Sequence, residues 1–167
     1  MSTDAIVVLK EDHKAVKKLF RAFEKIAESG TPKQRGDLVT QIIAELTKHT
    51  YIENECMYPE VRKLLPDLED DVLESYEEHH VADVLCLELS LLSPDDEHFV
   101  AKTTVLIENV EHHIEEEEQD WFPKVRDGLT RKQLQDVGAR LLELKATAPT
   151  TPDDPKAQKS ARDAVNA

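Results

Sequence analysis

Along four long stretches of the chain, apolar residues recur every three or four positions, the spacing of one buried face on an α-helix. The first stretch carries Ile6, Leu9, Val16, Phe20, Phe23 and Ala27; Ser2, Thr3 or Asp4 can cap its start and Gly30 ends it. The second carries Leu38, Ile42, Leu46 and Cys56, behind Thr31-Pro32, a cap followed by a proline at the first helical position. A third, over roughly residues 68–92, carries Ala82, Leu85, Cys86 and Leu89. The fourth carries Phe99, Leu106, Val110 and Trp121, with Ser93-Pro94 as the corresponding cap. After Gly128, Thr130 and Gln133 have the spacing of a capping box, which predicts a fifth helix over about 131–146. Leu134, Val137, Leu141, Leu142 and Leu144 are its packing residues. From Thr147 onward the chain is rich in Pro, Thr and Asp and poor in large apolar residues, which predicts a disordered tail over 147–167. The pattern is all-α: one bundle of four long helices with an additional C-terminal helix, spanning residues 1–146, and a tail.

Each apolar line is broken by polar residues that share its face. His13 breaks the first, His49 and Glu53 the second, His79 the third, and His113 and Glu117 the fourth. The interruptions repeat. HTYIENECMYP from His49 to Pro59 has a twin, HIEEEEQDWFP, from His113 to Pro123, displaced by 64 residues. EDHKAVKKLF from Glu11 to Phe20 has a twin, EEHHVADVLC, from Glu77 to Cys86, displaced by 66. A His and a Glu four apart lie one above the other on a helix, so each copy of the longer motif is a two-ligand half of a metal site. His80 lies about 100° from His79 on another apolar line; the repeat alignment with His13 selects His79. His112 shares a line with Glu108, Glu115, Glu116 and Gln119, which reads as a solvated face.

Composition narrows the partners. The 167 residues carry a formal net charge of −14, which disfavours nucleic acid and anionic membrane surfaces. No apolar run approaches the ~20 residues needed to span a bilayer. The start, MSTDAIVVLKED, lacks the basic flank and apolar core of a signal peptide. Cys56 and Cys86 follow no metal or redox spacing and read as reduced core thiols. A cytoplasmic protein acting on small molecules, as monomer or weak dimer, is the expectation.

A single inward histidine is most simply a satisfied core residue. Four of them with two inward glutamates, at matching depths of two repeated helix pairs, call for another explanation. Unpaired, each buried carboxylate would cost several kcal/mol or take up a proton, and no inward line of Lys or Arg neutralises them. A metal does. Four imidazoles and two carboxylates exceed one tetrahedral zinc. They suit two first-row ions sharing carboxylates, iron first and manganese second. The ferritin-type pattern, Glu-x-x-His on two helices, occurs here only as Glu77 to His80.

Asp12-His13, His49-x3-Glu53 before Tyr58-Pro59, Glu78-His79, and His113-x3-Glu117 before Phe122-Pro123 together resemble the hemerythrin family in its bacterial HHE cation-binding branch, over about residues 5–125. The resemblance implies an up-down four-helix bundle around a non-haem diiron centre with an oxo or hydroxo bridge. It implies that Glu53 and Glu117 bridge two iron ions and that His13, His49, His79 and His113 are terminal ligands. The helix after Thr130 is similar to a C-terminal extension of some bacterial members.

Two positions depart from oxygen-carrying hemerythrins. Their fifth His, one turn before the third-helix His, corresponds here to Ser75; their last carboxylate follows the fourth-helix His by five, where this chain has Glu118. Glu118 is thus a fallback ligand, and one iron is left short of a protein donor. Tyr58 is the candidate replacement, since some mycobacterial-type relatives resemble this chain in having a Tyr there. An ideal helix puts Tyr58 opposite His49, so ligation requires a bulge before Pro59; the alternative is a Tyr packed beside the site. Three functions follow: peroxide scavenging of the catalase type or reduction of peroxide or NO; binding or sensing of O2, NO or iron without turnover; or a metal that only staples the bundle. The open position and the missing fifth His favour peroxide chemistry.

Overall fold

The structure, a computed structural model, describes residues 3–167, which are all-helical with no strand among them. They form six continuous rods, of which five follow the sequence pattern. Helix α1 (Ala5–Ile26) begins where Asp4 accepts hydrogen bonds from the backbone N–H groups of Ile6 (2.9 Å) and Val7 (3.2 Å); Ser2, another of the expected caps, lies outside the described residues. Helix α2 (Pro32–Ile52) starts in a full capping box between Thr31 and Gln34. It runs through a π-helical segment, Glu53–Met57, into α3 (Tyr58–Leu64). A 3-10 turn, Pro66–Leu68, leads to α4 (Glu69–Leu91). The fourth rod repeats the second: α5 (Phe99–Glu116), a π-helical segment Glu117–Trp121, and α6 (Phe122–Gly128). Helix α7 (Arg131–Ala146) opens with the Thr130–Gln133 capping box.

Two expectations about helix ends need correction. Ser93-Pro94 does not cap the fourth rod, because α5 starts only at Phe99. Ser93 Oγ donates to Asp95 (2.5 Å) and Asp96 accepts from the His98 N–H (2.8 Å), so short polar side chains hold residues 93–98 in turns. The tail is also not structureless: α8 (Pro155–Val165) forms with Asp154 as its cap, accepting from Lys156 N–H (2.8 Å). Pro155 occupies the first turn, and small residues at 157, 160, 161 and 164 line one face, with Ser160 and Ala164 buried against the bundle. Burial of Ser160 and Ala164 seats this helix without the bulky apolar stripe whose absence suggested disorder. On α7, Leu134, Val137 and Leu141 are buried as expected, while Leu142 is exposed. Gly138 lets α7 approach the chain start: a Cβ there would sit 1.5 Å from the Thr3 carbonyl oxygen.

The core has two apolar halves. One gathers Val16, Phe20, Phe23, Ile42 and Leu106; the other gathers Leu9, Ile52, Tyr58, Val72, Trp121 and Leu134. His13 on α1 lies between Leu9 and Val16, and each of the other three long rods passes from one half to the other at its own His. A polar layer therefore crosses the bundle at one depth.

Beneath α8, against α2 and α4, is an apolar cavity of about 310 Å³ that contains the largely buried Asp83. Burial raises this carboxyl to about 7, offset in part by Thr50 Oγ1 donating at 3.4 Å. A carboxyl whose folded pKa exceeds its unfolded value costs stability when ionised. The cost is absent below the unfolded value, near 4, and grows as pH rises to about 7. Asp83→Asn should therefore gain on the order of 2–4 kcal/mol over wild type at pH 8 and nearly nothing at pH 4. Urea midpoints of the two proteins across that range check this; parallel curves would show that Asp83 is better solvated than its burial indicates.

Candidate metal centre

The four helices deliver four imidazoles to one layer, each with its Nε2 side facing inward. His13 is fully buried and His49, His79 and His113 nearly so, as are Glu53 and Glu117. Glu53 Oε2 lies 3.2 Å from His49 Nε2 and 3.2 Å from His79 Nε2. Glu117 spans the layer in the same way: Oε2 is 3.2 Å from His13 Nε2 and Oε1 is 3.4 Å from His113 Nε2. Ligand atoms of His13, His49, Glu53 and Glu117 all lie within 4.8 Å of one another, and so do those of Glu53, His79 and His113. Glu53 belongs to both groups. Two donor sets thus sit side by side, with carboxylates between them.

The second sets of contacts fix the rings. His49 Nδ1 faces Asp12 (3.4 Å), His13 Nδ1 faces Glu118 (2.9 Å), His79 Nδ1 faces Asn54 (2.9 Å), and His113 Nδ1 is bound by Glu78. A partner on Nδ1 sets the ring orientation and leaves Nε2 for a metal. These partners obey the same duplication: Asp12 and Glu78 precede His13 and His79, and Asn54 and Glu118 follow Glu53 and Glu117. Glu118 therefore orients His13 rather than replacing Glu117 among the inward donors. Reading the repeat one residue further on each side would have found all four.

Tyr58 lies in the layer because the helix bulges. Its backbone N–H bonds to the Glu53 carbonyl, five residues back, and the twin Phe122 N–H bonds to Glu117 in the same way. Pro59 and Pro123 follow, and each lacks the N–H that would continue the i→i−4 ladder, while its ring crowds the carbonyl four back. The π-segment relieves that conflict and turns the next side chain inward by about 100°. The fully buried Tyr58 hydroxyl sits 2.7 Å from Glu117 Oε1, 3.2 Å from Glu53 Oε2, 3.1 Å from His79 Nε2 and 3.4 Å from His113 Nε2. It belongs to the donor set of α4 and α5. In the other set, Phe122 takes its place and stacks on His13 with centroids 5.6 Å apart and planes 10° apart.

Without metal, imidazoles and carboxylates in this layer shift one another's protonation. Burial would raise Glu53, but His49 and His79 outweigh it and hold the carboxyl well below its ordinary value. Burial likewise opposes charge on His49, yet Glu53 and Asp12 raise it well above 6.5. His113 is raised to about 9 against its burial by Glu117 and Glu78. His79 moves the other way, lowered by burial and, further, by the neighbouring His113 charge. Tyr58 is driven well above 10 by burial, then by Glu117 and Glu53. Glu53 thus departs from the expectation that a buried glutamate takes up a proton, because His49 and His79 favour its ionised form.

The residues fit metal. His13 Nε2, His49 Nε2, Glu53 Oε1 and Glu117 Oε2 are buried without a hydrogen-bond partner, although they converge. Such atoms lose their hydration on folding, and a cation in the space between them would supply the partner each lacks. The remaining imidazoles stay outside the layer: His80 borders the cavity under α8, and His98 and His112 are exposed. Both thiols, Cys56 and Cys86, are free and buried.

The model of the hemerythrin HHE cation binding domain matches residues 4–125. The chain belongs to this family. The HHE fold accounts for the two repeated rods and their shared layer, and α7 and α8 are additions beyond the matched region. Among solved structures, the chain resembles the crystal structure of an HHE cation binding domain-containing protein from Mycobacterium kansasii, described as an Rv2633c homologue. The TM-score is 0.68 with 22% identity, over 95% of this chain and 98% of that one, which speaks for a common fold. A protein of Nostoc sp. (strain PCC 7120 / SAG 25.82 / UTEX 2576) named DNA nickase is 29% identical over 128 residues, 77% of this chain and 35% of that protein. The HHE chain thus spans about a third of that relative's length. No helix is long and apolar enough to cross a membrane among the described residues.

Proposed function

We propose that this HHE protein holds two non-haem iron ions and uses them to disproportionate hydrogen peroxide. The observation that carries the reading is the asymmetry of two otherwise matched donor sets. Tyr58 stands on one and Phe122 on the other, with Glu53 and Glu117 shared between them. His13 and His49 would hold one ion and His79, His113 and Tyr58 the other. When bound, the irons supply a two-electron couple, so that one peroxide is reduced to two waters and a second is oxidised to O2.

The protein's own groups prepare the site for that chemistry. Nδ1 partners lock all four imidazoles, so that binding a small oxidant does not cost their reorientation. The Tyr58 hydroxyl donates to Glu117, and a cation beside it would drive that proton off, leaving a phenolate that favours the oxidised state. Phe122 stacks on His13 and Trp121 packs beside it, giving the layer an apolar border on that side. Ser75, in place of a bulkier donor, leaves a cavity of about 260 Å³ that reaches His113 and Glu117. Its walls are acidic, which suits a neutral substrate such as peroxide better than an anion. The net charge of −14 likewise favours small molecules over nucleic acid as the partner.

Protein produced with ample iron should contain about two Fe per chain and evolve O2 from peroxide. One zinc per chain, or none of either metal, would refute the diiron reading. Two irons with reversible O2 uptake and indifference to peroxide would assign the domain to binding or sensing instead. His79→Ala should lose iron, whereas His80→Ala should retain nearly two per chain. Metal analysis of both variants checks the choice between these neighbours.

A further inference from the structure

The seven inward donors are 0–7% exposed, so a cation needs a passage to reach them. The cavity beside Ser75 is lined by Asp71, Glu74, Glu78 and Glu116 and ends at His113 and Glu117. Lys124 pairs with Asp71 (3.3 Å) and Asp120 (2.8 Å), and Glu74, Glu78 and Glu116 keep the rest of the wall acidic. Ser75 turns its hydroxyl back to the Asp71 carbonyl (3.0 Å) and does not obstruct it.

Glu78 and Glu116 on the cavity wall and the exposed His112 beside them each place a ligand atom within 4.8 Å of the others. Glu78 is partly buried, while His112 and Glu116 are exposed and lie 3.2 Å apart. One feature of the wall points to a hydrated guest. Trp121, 4% exposed, lines the cavity with an Nε1–H that has no acceptor, suited to a water that travels with an ion.

We propose that Glu78, His112 and Glu116 form a capture site for a divalent first-row cation, Fe2+ or Mn2+, and that the Ser75 cavity is its route to the inner centre. The inference rests on the metal-centre reading above and assigns the supply of that centre. Two carboxylates and an imidazole offer the oxygen and nitrogen donors such ions prefer without the charge and closure that would retain them. Glu78 touches both stations, since it also binds His113 Nδ1.

Trp121 is the one tryptophan of the chain and reports cation arrival by fluorescence quenching. Metal-free full-length protein mixed anaerobically with Fe2+ should quench rapidly, with a rate that falls as salt is raised. The double variant His112→Ala, Glu116→Gln should load roughly tenfold more slowly, with weaker salt dependence, yet reach the wild-type iron content. His98→Ala, Glu97→Gln removes the same two group types from an exposed pair elsewhere and should load at the wild-type rate. Equal rates for all three proteins would overturn the capture site, as would equal slowing by both double variants. A lowered final iron content in the first double variant would also overturn it, by making the cluster part of the inner centre. Wild-type protein that takes up no iron would instead refute the metal-centre reading itself.

Discussion

Removing metal should destabilise the protein far more at pH 9 than at pH 6. In the metal-free layer, charge is balanced by protons on His49 and His113 facing Glu53 and Glu117. Both imidazoles are raised above their unfolded value, so the stability they contribute is complete below about 6.5. For His113 it is lost as pH climbs through about 9. The two and a half units on His113 alone correspond to about 3 kcal/mol. For a chain of this size that is about 10 °C in melting temperature. Glu53, held below its ordinary value, adds stability that disappears only as the solution turns acid, well outside this window. A bound cation replaces the protons and removes the alkaline loss. Metal also stabilises by mass action, by about 4 kcal/mol per site at a free concentration a thousand times Kd. Melting curves with and without chelator, from pH 6 to 9.5, should therefore diverge as pH rises, and metal uptake at pH 7 should release protons. Parallel melting curves would mean that the imidazoles carry no charge in the metal-free protein.

Much of this site is legible in the sequence because the duplication fixes it. A carboxylate on an apolar helix line has no inexpensive explanation, and finding Glu53 and Glu117 at the same offset as His49 and His113 removes coincidence. The Nδ1 partners were equally legible, one residue outside each repeated ligand. The protonation of the layer was not, because it depends on distances: a lone buried glutamate takes up a proton, but one lying 3.2 Å from two imidazoles does not. Helix α8 escaped for a different reason. Its buried face is made of Ala and Ser, which leave no hydrophobic period, and it lies against α2 and α4 over a cavity rather than on a bulky apolar stripe. The start of the fourth rod at Phe99 was decided by competition between Ser93, Asp95 and Asp96 for local hydrogen bonds, which a cap motif alone does not reveal. Tyr58 stands between these cases. The conflict at Pro59 is visible in the sequence, but two outcomes relieve it, a kink or a π-segment, and only the second points Tyr58 inward.

Tyr58→Phe should separate the phenolate's contribution from that of the rest of the centre. The substitution deletes the hydroxyl that meets Glu53, Glu117, His79 and His113, but it keeps the ring that packs on Tyr76 and Trp121. Folding should be little affected, and six protein donors remain, so iron content should stay near two per chain. On the proposed reading, the loaded wild type should show a visible charge-transfer band from phenolate to ferric iron, and the variant should lack it. Loss of an anionic donor also makes the oxidised state less favourable, so the variant should be reduced more easily by a mild reductant. Peroxide turnover should fall by roughly 10²–10³-fold if the phenolate sets the resting state, the range seen when a single well-placed electrostatic group is removed. The reciprocal substitution supplies the control: Phe122→Tyr places a hydroxyl beside His13, in the set that lacks one, and should add a charge-transfer band rather than remove one. An unchanged spectrum in Tyr58→Phe would show that the hydroxyl only bonds to the carboxylates. Peroxide chemistry would then depend on the opening left by Ser75, and filling that opening with Ser75→His should abolish oxygen evolution while leaving the iron in place.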